Sequence, residues 1–441
     1  MRYYGAFLPL LPGICGGAPG EQALASGTKE MKVAVFHPGT QHSWQTAYAL
    51  QQLERLEWYA TSIFYKPDSL PYLLERLPGA FGRRLGREFS RFRHEGLDPR
   101  LVRTAGLAEW FERIAARAGL RGAAQRLDAW GNRHFASLIG REIASDRPFA
   151  LWGYNASSLS AFEAGKAAGR TLILDRTIGD FRLYNRLMDQ VAQTHAAWFV
   201  PTDRQFPQAL IERDQREYEL ADTILCGSEY CAQTVRDCGG ADVAGKVRVL
   251  PYCFDEALFA NQPLPKPLDR TRPLRFLFIG QINPRKGVHH LLEALARIPA
   301  KAASLTLVGE MRVPPAAFAP HAERVKWIPT VPRAEIPAIM ADHDVLVFPS
   351  YFEGSALSLI EALASGMGVI QTRAAGNGAS EQSGLVLDAP SSEGLYAALM
   401  SAIDDRAKVD AWRAAAQGEA RRYSFAAYRA NIAALLAELG L

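Results

Sequence analysis

Short apolar runs alternating with stretches of helical periodicity restrict this chain more than any other feature. KVAVF, TSIFY, FALWG, TLILD, TILC and VRVL have the continuous hydrophobicity of parallel strands covered on both faces. Helical segments intervene, which predicts a doubly wound, Rossmann-like α/β domain over residues 31–262. A second series, RFLFIG, SLTLVG, VKWI, DVLVF, GVIQ and GLVL, predicts another such domain over 274–423. Between them Pro263, Pro265, Pro267 and Pro273 exclude regular structure, so 263–273 reads as a stiff linker and hinge. Residues 424–441 form a last helix whose apolar stripe must pack on something.

Composition supports two large cores. Of 441 residues 48% are hydrophobic and 22% charged, which excludes a disordered chain, a collagen-like repeat and a disulfide scaffold. No apolar run is long enough to span a bilayer as a helix. A net charge of +4 is too small to imply nucleic acid. The five cysteines lack CxxC spacing, and Cys226, Cys231 and Cys238 have no histidine close in sequence, which favours buried or idle thiols in a reducing compartment over a metal site. Residues 1–30 carry YYGAFLPLLPGIC and Ala23-Leu24-Ala25, a loose likeness of an export signal. Because two prolines and several glycines interrupt it and Met31 opens the first strand, a disordered leader or upstream start is the preferred reading.

One stretch, 71–125, lacks strand signals and holds eleven arginines against six carboxylates, an excess larger than that of the whole chain. It reads as a basic helical insertion. An anionic membrane surface or anionic acceptor would suit it, and a solvated insertion is the alternative.

Two segments carry chemistry. In DVLVFPSYFEGSALSLIEALASGMGVIQT, a buried strand over 344–348 leads into the loop Pro349–Gly354 and a helix from Ala356 to Ser365. Ligands of open α/β sheets bind beyond the carboxyl ends of strands, where helix N-termini present free N–H groups. Glu353 and Glu361 stand there, and a carboxylate can accept two hydrogen bonds from the hydroxyls of a sugar diol. The alternative makes Glu353 a helix-dipole partner and Glu361 a surface residue. In RFLFIGQINPRKGVHHLLEAL, a strand ends at Gly280 and Arg285-Lys286-Gly287 opens a helix. Two cations at a helix N-terminus suit a diphosphate, and fixed cations would favour the charge that builds on such a leaving group. A solvated helix start is the plainer reading. His289 and His290 are expected to be exposed helix residues.

Together these segments resemble the nucleotide-sugar-binding domain of retaining glycosyltransferases of family 4, glycosyl transferases group 1, which have the GT-B fold. The likeness runs from about Leu274 to Ile403 and more weakly upstream through EYELADTILCGSEYCAQTV and KVRVLPYCFDEALF. It implies two domains facing a central cleft, with the C-terminal helix crossing back to the N-terminal domain. It implies that Glu353 and Glu361 are an E-x7-E pair, Glu353 approaching the transferred sugar and Glu361 holding the ribose. Lys286 matches a phosphate-binding lysine, with Arg285 and Gly280 beside it. Backbone groups of Gly354, Ser355, Ala356 and Leu357 would line the donor, and Gly39 matches the glycine turn of the acceptor domain.

Several positions depart from the family: Gln281 follows Gly280 where arginine is common, Pro329 and Cys253 replace glycines, and Gly368 replaces a proline. The acceptor-side histidine has no match in TLILDRTIGDF, where Asp175, Arg176 and Asp180 occur instead. Asp180 aligns with that histidine in one subgroup and is taken as the catalytic candidate, with His37 and His42 as alternative polar contacts. The implied activity is transfer of a hexose from a nucleotide-diphosphate sugar to a glycan or glycolipid hydroxyl with retention, in the cytoplasm or on the inner membrane face. No metal, tightly bound cofactor or nucleic-acid partner is implied. A sugar-nucleotide epimerase and a noncatalytic nucleotide-sugar-binding subunit are the competing readings; a pyridoxal-phosphate phosphorylase lacks a recognisable cofactor lysine motif.

Overall fold

The computed structural model of the chain describes residues 30–39, 42–94, 96–104, 110, 135–200 and 205–441. Two all-parallel sheets organise it. The first contains β1 (Lys32–Phe36), β2 (Leu56–Thr61), β3 (Val102–Thr104), β4 (Phe149–Tyr154), β5 (Leu172–Arg176), β6 (Thr223–Cys226) and β7 (Val247–Val249), in the order β3-β2-β1-β4-β5-β6-β7. The helices that bear on the site are α1 (Ser43–Gln52), α2 (Ala80–Phe89), α3 (Leu159–Ala167), α4 (Phe181–His195), α5 (Gln208–Leu220) and α6 (Glu229–Gly239). Every residue of β4 and β5 is buried, as in strands that helices cover on both faces, and this includes Asp175 and Arg176 at the end of β5.

The second sheet contains β8 (Leu274–Ile279), β9 (Ala303–Val308), β10 (Val325–Ile328), β11 (Val345–Phe348), β12 (Gly368–Thr372) and β13 (Gly384–Leu387), in the order β10-β9-β8-β11-β12-β13. Its order reverses between β8 and β11, so the loops leaving those two strands face one crevice. Around it stand α7 (Val288–Ala296), α8 (Leu357–Ala364), α9 (Ser392–Asp404), α10 (Arg406–Ala420) and α11 (Phe425–Glu438).

The last helix crosses to the first sheet. Ser424 caps α11, its hydroxyl accepting from Ala427 N at 3.1 Å. Tyr428, Ile432, Leu435 and Leu436 enter the core around β1 and α1, each contributing roughly 1.5–3 kcal/mol by burial. The proline-rich linker has no regular structure and lies along α10, with Leu268 N donating to Asp410 at 2.8 Å and Arg413 to Lys266 O at 2.7 Å.

Two expectations change. TSIFY is not the second strand; β2 ends at Thr61, and Ile63, Phe64 and Tyr65 are buried in the loop beyond it. Glu57 breaks the apolar run of the real strand, and its charge is met by Arg147 at 2.5 Å. The insertion is not purely helical, because it supplies the edge strand β3, where Arg103 pairs with Glu142 at 3.0 Å. Its Arg113, Arg117 and Arg121, like residues 1–29, lie outside the described residues.

Candidate functional site

At the second sheet's switch point the two exit loops are joined. Tyr351 N donates to Arg285 O at 2.8 Å. Asn283 caps the turn, accepting from Lys286 N at 3.1 Å, and Pro284–Lys286 forms a 3₁₀ turn ahead of α7. Gly287 sits at φ +65°, and a Cβ there would lie 2.0 Å from Pro349 O, so only glycine lets the loops approach so closely.

This approach concentrates charge. Glu353 Oε1 receives Lys286 Nζ, Arg285 Nη1 and Ser350 Oγ, all at 2.6 Å. Burial opposes ionisation of Glu353, but Arg285 and Lys286, with the bonds from Lys286 and Ser350, outweigh it and hold the carboxyl at about 2. Burial, helped by Arg285, pulls Lys286 down to about 8 against the attraction of Glu353. Lys286 also lies 4.4 Å from the centre of the Phe348 ring, and a Cβ on Gly280 would stand 3.9 Å from its Nζ. Two cations share one carboxylate here, which suits the cluster to a second anion such as a diphosphate.

Glu361 is buried on α8 and meets Arg333 at 2.8 Å, which removes the surface-residue reading. Its pKa is raised by burial and by Asp255, with Arg333 opposing. Leu357 and Arg333 line a cavity of about 680 Å³ whose other wall is His42, Trp44, Gln45 and Tyr48 of the first domain. A smaller cavity of about 260 Å³ lies between Arg285 and Asn283 on one side and Ile178 and Tyr184 on the other. Glu353 and Lys286 line neither; they sit behind Arg285. The Ser355 hydroxyl is buried with no hydrogen-bond partner among the described residues, whereas Ala356 N–H is taken by Ala375 O at 3.1 Å. Gly354 is pressed against the first domain, where a Cβ would lie 1.9 Å from Thr177 O.

On the acceptor side Asp180 is tied to its own helix. Asp180 caps α4, accepting from Arg182 N at 2.9 Å, and both of its oxygens also bind the Arg182 guanidinium. Burial opposes its ionisation, but these bonds keep its pKa low, and it is 2% exposed. A carboxylate so engaged caps α4 and fixes the Arg182 guanidinium. Arg176, fully buried beside Asp214, donates at 2.7 Å to both Ile178 O and Gly179 O and so fixes the loop that meets Gly354.

His42 and His94 are the acceptor-side histidines among the described residues that line the large cavity, and His42 lies at the glycine turn. His42 stacks on Tyr252 at 4.7 Å, and Tyr252 donates to Asp175 at 2.5 Å. Burial is the largest influence on His42 and Arg333 adds to it; the pKa falls to about 4 and the ring is neutral. Asp175 is pushed by burial up to about 7. His37 packs on Tyr154 and accepts from Gly39 N at 3.0 Å, which defines the near side of the glycine turn. Arg333 was not legible as a site residue, since no motif marks it, and Ser350, although inside the Pro349–Gly354 loop, was not singled out as a partner of Glu353. His289 and His290 are buried, not exposed, because the C-terminal end of α4 packs over them.

Residues 273–405 match the family described as glycosyl transferases group 1. A D-inositol 3-phosphate glycosyltransferase from Kineococcus radiotolerans is 28% identical over 279 residues, 54% of this chain and 62% of that protein. A glycogen synthase from Mycobacterium tuberculosis is 28% identical over 34% of this chain and 38% of its own. The chain thus spans less than two thirds of these curated relatives. Among solved structures, HepE of Anabaena in complex with UDP has a TM-score of 0.58 at 17% identity, covering 92% of this chain and all of that one. Sucrose-phosphate synthase from Thermosynechococcus elongatus has a TM-score of 0.59 at 16% identity, covering 93% and 99%. At such identities the likeness is one of fold, the GT-B arrangement of two parallel-sheet domains.

Proposed function

We propose that this chain, whose residues 273–405 match the family described as glycosyl transferases group 1, transfers a hexose from a nucleotide-diphosphate sugar to a glycan or glycolipid hydroxyl with retention of configuration. The observation that carries the reading is the convergence of Lys286 and Arg285 on Glu353 beside a cavity lined from both domains. The diphosphate takes a place at Arg285 and Lys286, at the N-terminal end of α7. All three donors to Glu353 use Oε1; once Arg285 turns from Glu353 to the diphosphate, a sugar hydroxyl reaches the Oε2 behind it. The ribose diol displaces Arg333 and donates to Glu361. In the transfer, the bond from the anomeric carbon to the phosphate oxygen breaks on the face where the bond to the acceptor oxygen forms. The departing phosphate takes the acceptor's proton, and the neutral His42 orients that hydroxyl.

HepE binds UDP, so UDP sugars come first among donors to test. A bacterial surface polysaccharide or glycolipid is the proposed product class. One structure of similar fold is described as a lipopolysaccharide outer core galactosyltransferase, at 15% identity and a TM-score of 0.57. Leu70, Leu74, Leu77 and Phe81 are exposed by 63%, 38%, 46% and 59% beside exposed Arg83, Arg84 and Arg87, which suits the cytoplasmic face of an anionic membrane. No described helix is long and apolar enough to cross a membrane.

The test incubates the chain with UDP, GDP, ADP and TDP hexoses, with and without lipid and glycan acceptors, and follows products by NMR. An α-linked product from an α-linked donor, formed only when acceptor is present, is expected. A donor sugar altered without acceptor indicates the epimerase, and binding without turnover across the panel indicates the noncatalytic subunit.

A further inference from the structure

Behind the diphosphate turn, three imidazoles meet across the two domains. His195 ends α4 of the first domain, and His289 and His290 lie in the first turn of α7 in the second. Their ring centres are 4.1 to 4.9 Å apart, and one nitrogen from each lies within 4.8 Å of the others. His289 is fully buried, and neither of its ring nitrogens has a hydrogen-bond partner among the described residues. Leaving a buried polar group unpaired costs about 1–3 kcal/mol, so an imidazole with both nitrogens orphaned calls for a ligand.

The surrounding bonds set the tautomer of His290. Ser392 Oγ donates its single proton to Glu293 Oε2, so it accepts from His290 Nδ1 at 2.8 Å. His290 therefore carries its proton on Nδ1 and keeps a lone pair on Nε2, which now accepts from Tyr351 OH at 2.7 Å. A carboxylate reaching a histidine through its distal nitrogen is the outer-shell arrangement that orients metal-binding imidazoles. Thr194 Oγ1 holds Nδ1 of His195 at 2.7 Å, leaving its Nε2 to face the cluster.

We propose that His195, His289 and His290 form a transition-metal site, suited to Zn²⁺ and to the other divalent ions that neutral imidazoles favour. Tetrahedral Zn–N bonds of about 2.0–2.1 Å place ligand nitrogens roughly 3.3 Å apart, which small side-chain rotations reach from the observed spacing. The ion gives His289 a partner, takes the lone pair of His290 from Tyr351 and leaves one position for water. It also ties α4 to α7 directly behind the Pro284–Lys286 turn, bracing the two domains. The site stands independently of the reaction proposed above.

The chain is stripped of metal by chelator and dialysis, then titrated calorimetrically with Zn²⁺ and spectroscopically with Co²⁺. One ion per chain is expected, with visible ligand-field bands of a low-symmetry nitrogen site. His195→Gln alters a half-buried side chain with local bonds only. It should weaken binding by more than the roughly 10–100-fold that loss of an outer-shell partner costs. His289→Leu should abolish binding yet raise the midpoint of metal-free unfolding, because it removes an unpaired buried polar group. Wild-type protein without stoichiometric binding, or His195→Gln binding as the wild type does, overturns the site.

Discussion

Lys286 is the residue on which the electrostatics of the crevice turn. Its ammonium is buried, shares Glu353 with Arg285, and sits at about 8 where an exposed lysine sits above 10. A bound diphosphate stabilises the protonated form, so above pH 8 binding must take up a proton. Nucleotide affinity is therefore expected to be flat below about pH 8 and to fall above it, approaching tenfold per pH unit. A binding titration across that range checks this, and a flat profile to pH 10 would separate Lys286 from the anion. The linkage to folding has the opposite sign at the carboxylate. Glu353, held at about 2, contributes stability above its ordinary value near 4.5 that is lost as the pH falls through 2. Sequence alone marked Glu353, Lys286 and Glu361 because loop, strand and helix context surrounds them. At Asp180, alignment to a histidine cannot register that Arg182, two residues on, binds both oxygens. His289 and His290 were misread for a related reason: what buries them arrives from α4, about a hundred residues upstream.

Among the elements, the exit loops of β8 and β11 depend on a glycine. Gly287 has a left-handed conformation and would set a Cβ 2.0 Å from Pro349 O. Gly287→Ala is expected to destabilise the protein by more than about 2 kcal/mol, from the left-handed strain plus the backbone clash. The midpoint of urea unfolding reports it, and an unchanged midpoint would mean the loops separate freely. The six strands of the second sheet were legible because apolar residues dominate each run, as in the fully buried VLVF of β11, and the charges they carry, Arg275 in β8 and Lys326 in β10, point to solvent. β2 and β3 were not, for a physical reason: both carry a charge that a distant residue satisfies, Glu57 by Arg147 and Arg103 by Glu142. Periodicity cannot see such partners. The α11 stripe announced a docking face, and the structure supplies its receptor around α1, down to the hydrogen bond between Tyr428 and Thr46 at 2.8 Å.

At the scale of the whole molecule, two domains press together at Gly354 and Thr177 and separate into cavities on either side. The linker is anchored to α10, and the chain crosses between domains near Phe254 and Tyr423, whose backbones bond at 3.2 Å. Opening about that point would admit a donor, and closure would exclude water from it. The apolar and basic patch around α2 belongs to this scale too. Wild-type protein should sediment with anionic vesicles at low salt, and Phe81→Asp should lose about tenfold or more of that binding, roughly 1.5–3 kcal/mol for one buried aromatic. Indifference to lipid charge and salt would remove the membrane from the account. The central claim is that a nucleotide sugar lies in the crevice with its ribose on Glu361. Its most direct test is an equilibrium titration of UDP, GDP, ADP and TDP against the wild type and Glu361→Ala. Saturable binding of at least one nucleotide is predicted, weakened roughly tenfold to a hundredfold in the variant, as loss of charged hydrogen bonds implies. Equal affinity in the two proteins, or no binding by the wild type, would contradict it.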